Sequence, residues 1–207
     1  MVRYLPAALA IGLIAGPAAA QQFSADLVNA GGEAGSGKIY VSDGRVRMET
    51  TAAPGRGTMV ADTRANTAYV LMPAQKMYLD MSSNGHMAQV FTPIDPNNAC
   101  PRLQELAQQG HPDAAQWSCK RVGSEAVNGR STVKYQADTP QGEVYLAWID
   151  AHLKFMVKTQ DPSGKGMELR NIKEGAQPAS LFEVPADYRK LDMSQMQQMM
   201  QRGGAKP

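Results

Sequence analysis

The sequence predicts a mainly β protein: an antiparallel sheet with one or two short helices. Three observations carry this. Apolar runs of strand length recur along the chain, divided by short turns rich in Gly, Asn, Asp and Pro. Two of those turns, Asp43-Gly44 and Asn128-Gly129, are the dipeptides that tight hairpins favour, because both central residues need positive φ. The stretch from Glu143 to Asp192 then holds three successive runs: Glu143–Asp150, Leu153–Lys158 and Met167–Ile172. They break at Asp150-Ala-His152 and at Asp161-Pro-Ser-Gly164-Lys-Gly166. Connections this short make neighbouring strands antiparallel. The whole chain counts to about ten strands, and a sheet of that width must curl or close to bury its apolar face.

The first segment stands outside the fold. Arg3 supplies a positive n-region, and Leu5 to Ile14 is an apolar run too short to span a bilayer. Ala18-Ala-Ala20 before Gln21 fits the small-x-small rule for signal cleavage, with an N-terminal anchor as the competing reading. Residues 1–20 are expected to be a signal peptide, and the mature chain to be periplasmic or secreted. Removing them takes away one Arg and no acid, leaving 187 residues with a net charge of +1. That length is one domain, expected over residues 21–192, with residues 193–207 as a Met- and Gln-rich helix and tail. Near-zero charge and the lack of a basic stripe exclude a nucleic-acid partner, and no later run is apolar enough to insert stably into a membrane.

Phe23-Ser-Ala-Asp-Leu-Val28 reads as an edge strand. Gly32, Gly37 and Lys38 have the spacing of a phosphate-binding loop, but Ile39 follows where Ser or Thr is needed, so the segment reads as a hairpin approach. In the hairpin around Asp43-Gly44, Ile39, Val41, Val46 and Met48 share one face, and Arg45, Arg47 and Glu49 share the other. Period-two alternation then predicts one buried and one wet face. Thr58–Asp62, Thr67–Met72 and Lys76–Met81 continue as strands. The middle one is apolar on both faces and is expected to be central and covered on both sides.

Ser82 to Asn98 is irregular. Pro101 to Gln109 predicts a helix, since Pro suits its first turn, Gly110 its end, and Leu103, Leu106 and Ala107 one face. Cys100 and Cys119 bracket it. An isolated pair in an exported chain is most simply a disulfide, worth about 3 kcal/mol of loop-closure entropy. The spacing is far from the Cys-x-x-Cys of redox proteins. The bridge is expected to pin the helix to the sheet, with Trp117 as anchor. Lys120–Ala126 and Arg130–Ala137 form a hairpin around Asn128-Gly129.

Taken together, Trp148-Ile-Asp150, Phe155-Met-Val-Lys158, Glu168-Leu-Arg-Asn-Ile172 and Leu181-Phe-Glu-Val-Pro185-Ala-Asp-Tyr188 resemble the C-terminal half of the LolA-like superfamily of exported bacterial proteins. That superfamily includes the lipoprotein carrier LolA, the acceptor LolB and the regulator RseB. The resemblance extends over residues 23–190 by order of elements and is densest over 120–190. It is strongest to exported members that carry a cysteine pair ahead of a hairpin like Val127-Asn-Gly129. It implies an open, highly curved antiparallel half-barrel whose concave face is covered by short helices and loops. Relatives use that concavity for acyl chains, lipoproteins or protein contacts. It supplies no active-site residue.

The functional expectation is a non-catalytic binding protein for a hydrophobic ligand, a lipid or lipoprotein acyl chain. Val144, Leu146, Trp148, Phe155, Val157, Met167 and Leu169 are the candidate lining, and a closed core would show the same alternation. Thirteen Met residues favour an adaptable surface. An envelope protein partner without a small ligand is the alternative, and a monomer is expected. Met193, Met196, Met199 and Met200 are remote candidates for soft ligation of Cu(I), although a helix packed on a sheet gives the same spacing. No cofactor motif is present. Gly-x-Ser-x-Gly and His-Glu-x-x-His are both missing, and Asp150 with His152 reads as a solvated turn, so no enzyme activity is expected.

Overall fold

The computed structural model describes residues 21–30, 37–50, 57–83 and 87–192. Signal-like residues 1–20, most of the glycine-rich turn and the Met-rich tail lie outside them. So do all four candidate copper ligands.

Among the described residues, twelve strands form one large, open, curved sheet. They are β1 (Gln22–Ala30), β2 (Gly37–Ser42), β3 (Arg45–Thr50), β4 (Gly57–Asp62), β5 (Thr67–Met72), β6 (Met77–Asp80), β7 (Ser118–Val127), β8 (Arg130–Asp138), β9 (Val144–Asp150), β10 (Met156–Gln160), β11 (Gly166–Glu174) and the short β12 (Arg189–Lys190). An α-helix, α1 (Cys100–Gln108), lies between the two halves, with short 3₁₀ turns at Gln89–Phe91 and Pro112–Gln116 on either side of it. The spatial order is β12-β6-β5-β4-β3-β2-β1-β11-β10-β9-β8-β7. Each half is therefore a meander, and β1 against β11 is the seam between them. All pairings are antiparallel except β12 beside β6.

The turn chemistry acts as the sequence predicts. Asp43 and Gly44 take φ of 52° and 80°, and Asn128 and Gly129 take 49° and 77°. Gly166 is required for a different reason. A Cβ there would lie 2.0 Å from the Thr159 carbonyl oxygen, so only glycine lets β11 start this close to β10.

Two placements differ from expectation. Phe23–Val28 belongs to a central strand, because β1 pairs locally with β2 and also with β11, which is distant in the chain. Thr67–Met72 is near one end of the order, third from the edge. Its second apolar face is covered, as its two apolar faces predict, by the returning C-terminal segment, a partner that the local pattern does not name.

That segment also corrects the wet face expected for β2 and β3. Residues 179–191 lie across the convex side. Phe182 joins Val60 and Leu71 in a core with Tyr40, Tyr69 and Tyr78 around it. The Arg45 guanidinium sits 5.0 Å from the Phe182 ring centroid, and Arg47 donates to the Leu181 carbonyl at 3.1 Å. The arginine stems are thus part of a covered face. The main core is on the concave side, where Phe23, Ile39, Val41, Val46, Phe155 and Leu169 are buried together.

Candidate functional site

Residues 87–118 run as a strap across the concave face. The sequence gives them short helical pieces only: Pro101 and Pro112 stand in the first turns of α1 and of the 3₁₀ turn Pro112–Gln116, and Pro93 and Pro96 keep the stretch before α1 irregular. Specific bonds fix the strap instead. The Ile94 amide donates to the Lys154 carbonyl at 2.8 Å. The Tyr135 hydroxyl donates to the Pro96 carbonyl at 3.1 Å and accepts from the Ala99 amide at 3.3 Å. Arg102 donates to the Gln89 carbonyl, and Gln104 to the Trp117 carbonyl at 2.8 Å. The Cys100–Cys119 disulfide, with Cα atoms 5.6 Å apart, ties the start of α1 to β7. Ile94, Ala99, Leu103 and Leu106 then pack on Val133, Tyr135 and Ile149.

Between strap and sheet lie two apolar cavities. The first, about 310 Å³, sits under residues 87–94. Its walls are Leu27, Ile39, Met48, Met59, Met87, Val90, Phe91, Ile94, Phe155, Met156, Met167 and Leu169, and Thr92 is its one polar residue. We call it the methionine cavity, since five of the chain's thirteen methionines line it. The second, also about 310 Å³, sits beneath α1. Leu103, Leu106, Ala107, Ala147 and Met156 are among its apolar walls, and His111, Gln136, Thr159, Gln160, Asp161 and Lys165 give it polar ones. Met156 lines both.

The wall of this helix cavity carries an aromatic cluster. Trp117 and Tyr145 stack with centroids 4.8 Å apart, and His111 lies 4.9 Å from Trp117 and 5.5 Å from Tyr145. Asp113 accepts from the Trp117 indole N–H at 3.3 Å. Desolvation raises the Tyr145 phenol pKa, and the negative charges of Glu143, Asp161 and Asp113 raise it further. The Asp161 carboxyl is held below its usual range, first by the Ser163 hydroxyl and also by the backbone N–H groups of Lys165 and Ser163. The lining itself pairs one carboxylate, Asp161, with one ammonium, Lys165.

The candidate residues divide as follows. Phe155, Met167 and Leu169 line the methionine cavity, and Leu146 lines the helix cavity. Val144, Trp148 and Val157 line neither. Val144 is exposed, and Val157 is buried in the main core. Trp148 is only 2 % exposed and belongs to the same buried cluster as Phe23, Phe155 and Val157. Its indole N–H donates to Glu125 at 3.1 Å, between the ammonium groups of Lys134 and Lys158, each 4.7 Å from the ring centroid. Sequence reasoning missed Met48, Met59, Met87, Trp117 and Tyr145 as lining. A signal was available for the first two, because Met48 and Met59 fall on the apolar parity of their strands.

The solvated turn read at Asp150 is corrected. Asp150 is 1 % exposed. Its Oδ1 accepts from the amides of His152 and Leu153 at 2.9 and 2.8 Å, and its carboxylate pairs with Arg130, which also bonds Glu174 at 2.7 Å. His152 Nδ1 is 3.2 Å from Glu174, and its side chain is 73 % exposed. The group is a structural ion network joining the ends of β8, β9 and β11. Among the described residues no group of three His, Cys, Asp or Glu could hold a metal ion, and no helix is long and apolar enough to cross a membrane.

No protein-family model matches the sequence, and no curated protein matches it. Solved structures do. A conserved protein from Thermus thermophilus superposes with a TM-score of 0.53 at 9 % identity, over 84 % of this chain and 91 % of that one. This likeness is one of fold. Weaker likenesses are the MucA/MucB complex of Pseudomonas aeruginosa (TM-score 0.46, 16 % identity, 80 % of this chain and 56 % of that one) and the Mycobacterium tuberculosis lipoprotein LppX (0.38, 10 %, 81 % and 91 %). At those scores a shared fold does not follow.

Proposed function

We propose that this chain is a non-catalytic binding protein for a hydrophobic ligand, a lipid or acyl chain, held between the strap and the concave face. One observation carries the reading: a cavity of about 310 Å³ lined by five methionines and seven other apolar residues, with a single polar one. Filled cores are packed to near-crystal density and leave few voids larger than a water molecule. A space of this size at the lower end of small-molecule pockets is the geometry of a binding site. Unbranched thioethers repack around varied guests at little cost. The LolA-like resemblance of residues 120–190 supports the same reading. The disulfide supports action in an oxidising compartment outside the cytoplasm.

Native mass spectrometry of residues 21–207 purified from the periplasm tests this directly, with organic extraction of whatever co-purifies. A bound lipid or acyl compound is the expected result. An apo mass that also refuses added lipids would sink it.

One observation favours the alternative of an envelope protein partner. β7 is a ten-residue terminal strand of the sheet with Val122 42 % exposed, and extended segments add to such edges. The bulge between Arg121 and Gly123 and the charges of Lys120, Arg121 and Glu125 instead blunt that edge against pairing, so the ligand reading stands first.

A further inference from the structure

Met156 stands where the two cavities meet, and it lines both. It opens β10 beside a register shift, so it is not locked into a regular ladder. Its side chain is half-buried and unbranched, with three rotatable bonds, and can swing aside without displacing backbone. Either cavity alone sits at the floor of the small-molecule range of about 300–1,000 Å³, while the two opened to each other reach roughly 600 Å³.

The two spaces differ in chemistry. The methionine cavity offers a head group nothing but Thr92. All the charged side chains lie on the helix cavity's side, so an amphiphile has one orientation open to it: head there, chain inward. A second chain hung from the same head would have to share the passage at Met156 and the methionine cavity's volume of about 310 Å³. The head's charge is also constrained. The lining pairs one carboxylate, Asp161, with one ammonium, Lys165, and two further acids lie close by: Asp113, which holds the indole of Trp117, and Glu143, two residues before Tyr145. An anionic head would find no net attraction in this lining.

Resting on the ligand-binding reading above, we propose that the ligand is a single-chain amphiphile with an uncharged or cationic head. The head stays beside Asp161, Lys165 and His111, and the chain passes Met156 into the methionine cavity.

Titration of residues 21–207 with monoacylglycerols from octanoyl to octadecanoyl tests this, read by intrinsic tryptophan fluorescence and against the matched fatty acids at neutral pH. In the wild type, affinity is expected to rise roughly two- to fourfold per added methylene through the long chains. Met156→Phe is expected to stop that rise at the length the helix cavity alone accepts, and Met156→Ala to preserve it. Should Met156→Phe fail to fold, Met167→Trp fills the methionine cavity from another wall and predicts the same truncation. An undiminished rise in the blocked variant, or fatty acids binding as tightly as the matched monoacylglycerols, would overturn the proposal while leaving the binding function intact. If no amphiphile of any length binds, the function itself falls and this inference with it.

Discussion

The sheet has two faces, and each is covered by chain that adds no long strand to the sheet. On the convex face, residues 179–191 press Phe182 onto Val60 and Leu71, with Tyr69 and Tyr78 edge-to-face at 5.8 Å. On the concave face, residues 87–118 leave two cavities of about 310 Å³ each. The difference is in the side chains and the fastenings. Rigid rings with few rotamers fill the first interface. Methionines line the second, and the strap above them is held at fixed points by a disulfide and backbone hydrogen bonds. A cover anchored at points can stand off from a surface, whereas one held by its own rings has to touch it. The comparison teaches that space for a guest here comes from how the cover is tied down as much as from the curvature beneath it.

The largest expected effect breaks the filled face. Phe182→Ala should cost about 3–5 kcal/mol in urea unfolding, since the rings around it cannot collapse into the gap. A loss near zero would mean the C-terminal segment is not part of the folded unit. Next comes the strap. The double variant Cys100→Ser, Cys119→Ser is expected to lose about 3 kcal/mol and to free α1 for proteolysis, leaving the convex face protected. An unchanged melting temperature would remove the bridge as a fastening.

Filling mutations sharpen the contrast. Leu71→Phe, in the tyrosine-lined core, is expected to cost about 1–3 kcal/mol by overpacking. Met59→Phe makes a change of similar kind into the methionine cavity and should cost under about 1 kcal/mol, because space is already there. Equal costs from the two variants in the same denaturant series would erase the distinction between the faces.

The smallest effect is a dependence on pH that belongs to one cover only. Asp80 accepts a hydrogen bond from Lys190 of β12 at 2.8 Å, and this bond first, with Ser82 after it, draws its pKa down to about 2. A depressed carboxyl contributes stability that is fully present above its unfolded value near 3.8 and is lost as the pH falls toward 2. Hydrogen exchange at the Arg189 and Leu191 amides, which donate to Lys76 and Tyr78 carbonyls, should quicken in that window. The strap's bonds to neutral carbonyls should not respond, and Lys190→Ala should weaken the dependence, leaving the part that Ser82 supplies.

Much of this fold can be read locally. The two hairpin dipeptides place β2–β3 and β7–β8, and the Pro-to-Gly segment places α1 to within a residue at each end. What depends on chain far away is not legible. Nothing in Phe23–Val28 says that β11 will pair with it, and nothing near Arg45 says that Phe182 will return to cover it. The site shows the same limit. Phe155, Met167 and Leu169 stand beside a cavity, but Trp148 is packed into the buried core and lines neither, because alternation says which residues share a face and not where along that face space is left. Asp150 was missed because its partner Arg130 lies across a hairpin.

The seam at β1 bears on the order of assembly. Strands β2 to β6 can pair as each leaves the exit site, since every contact is local. β1 cannot complete its second ladder until Gly166–Glu174 arrives, and closing so large a loop is slow in any chain. For that interval a long strand stands with one row of amides and carbonyls open, the condition under which chains pair with the wrong neighbour. The bulge between Ser24 and Asp26 falls on that same open side. It interrupts the ladder a stray strand would need while still admitting β11, the one partner whose register matches it.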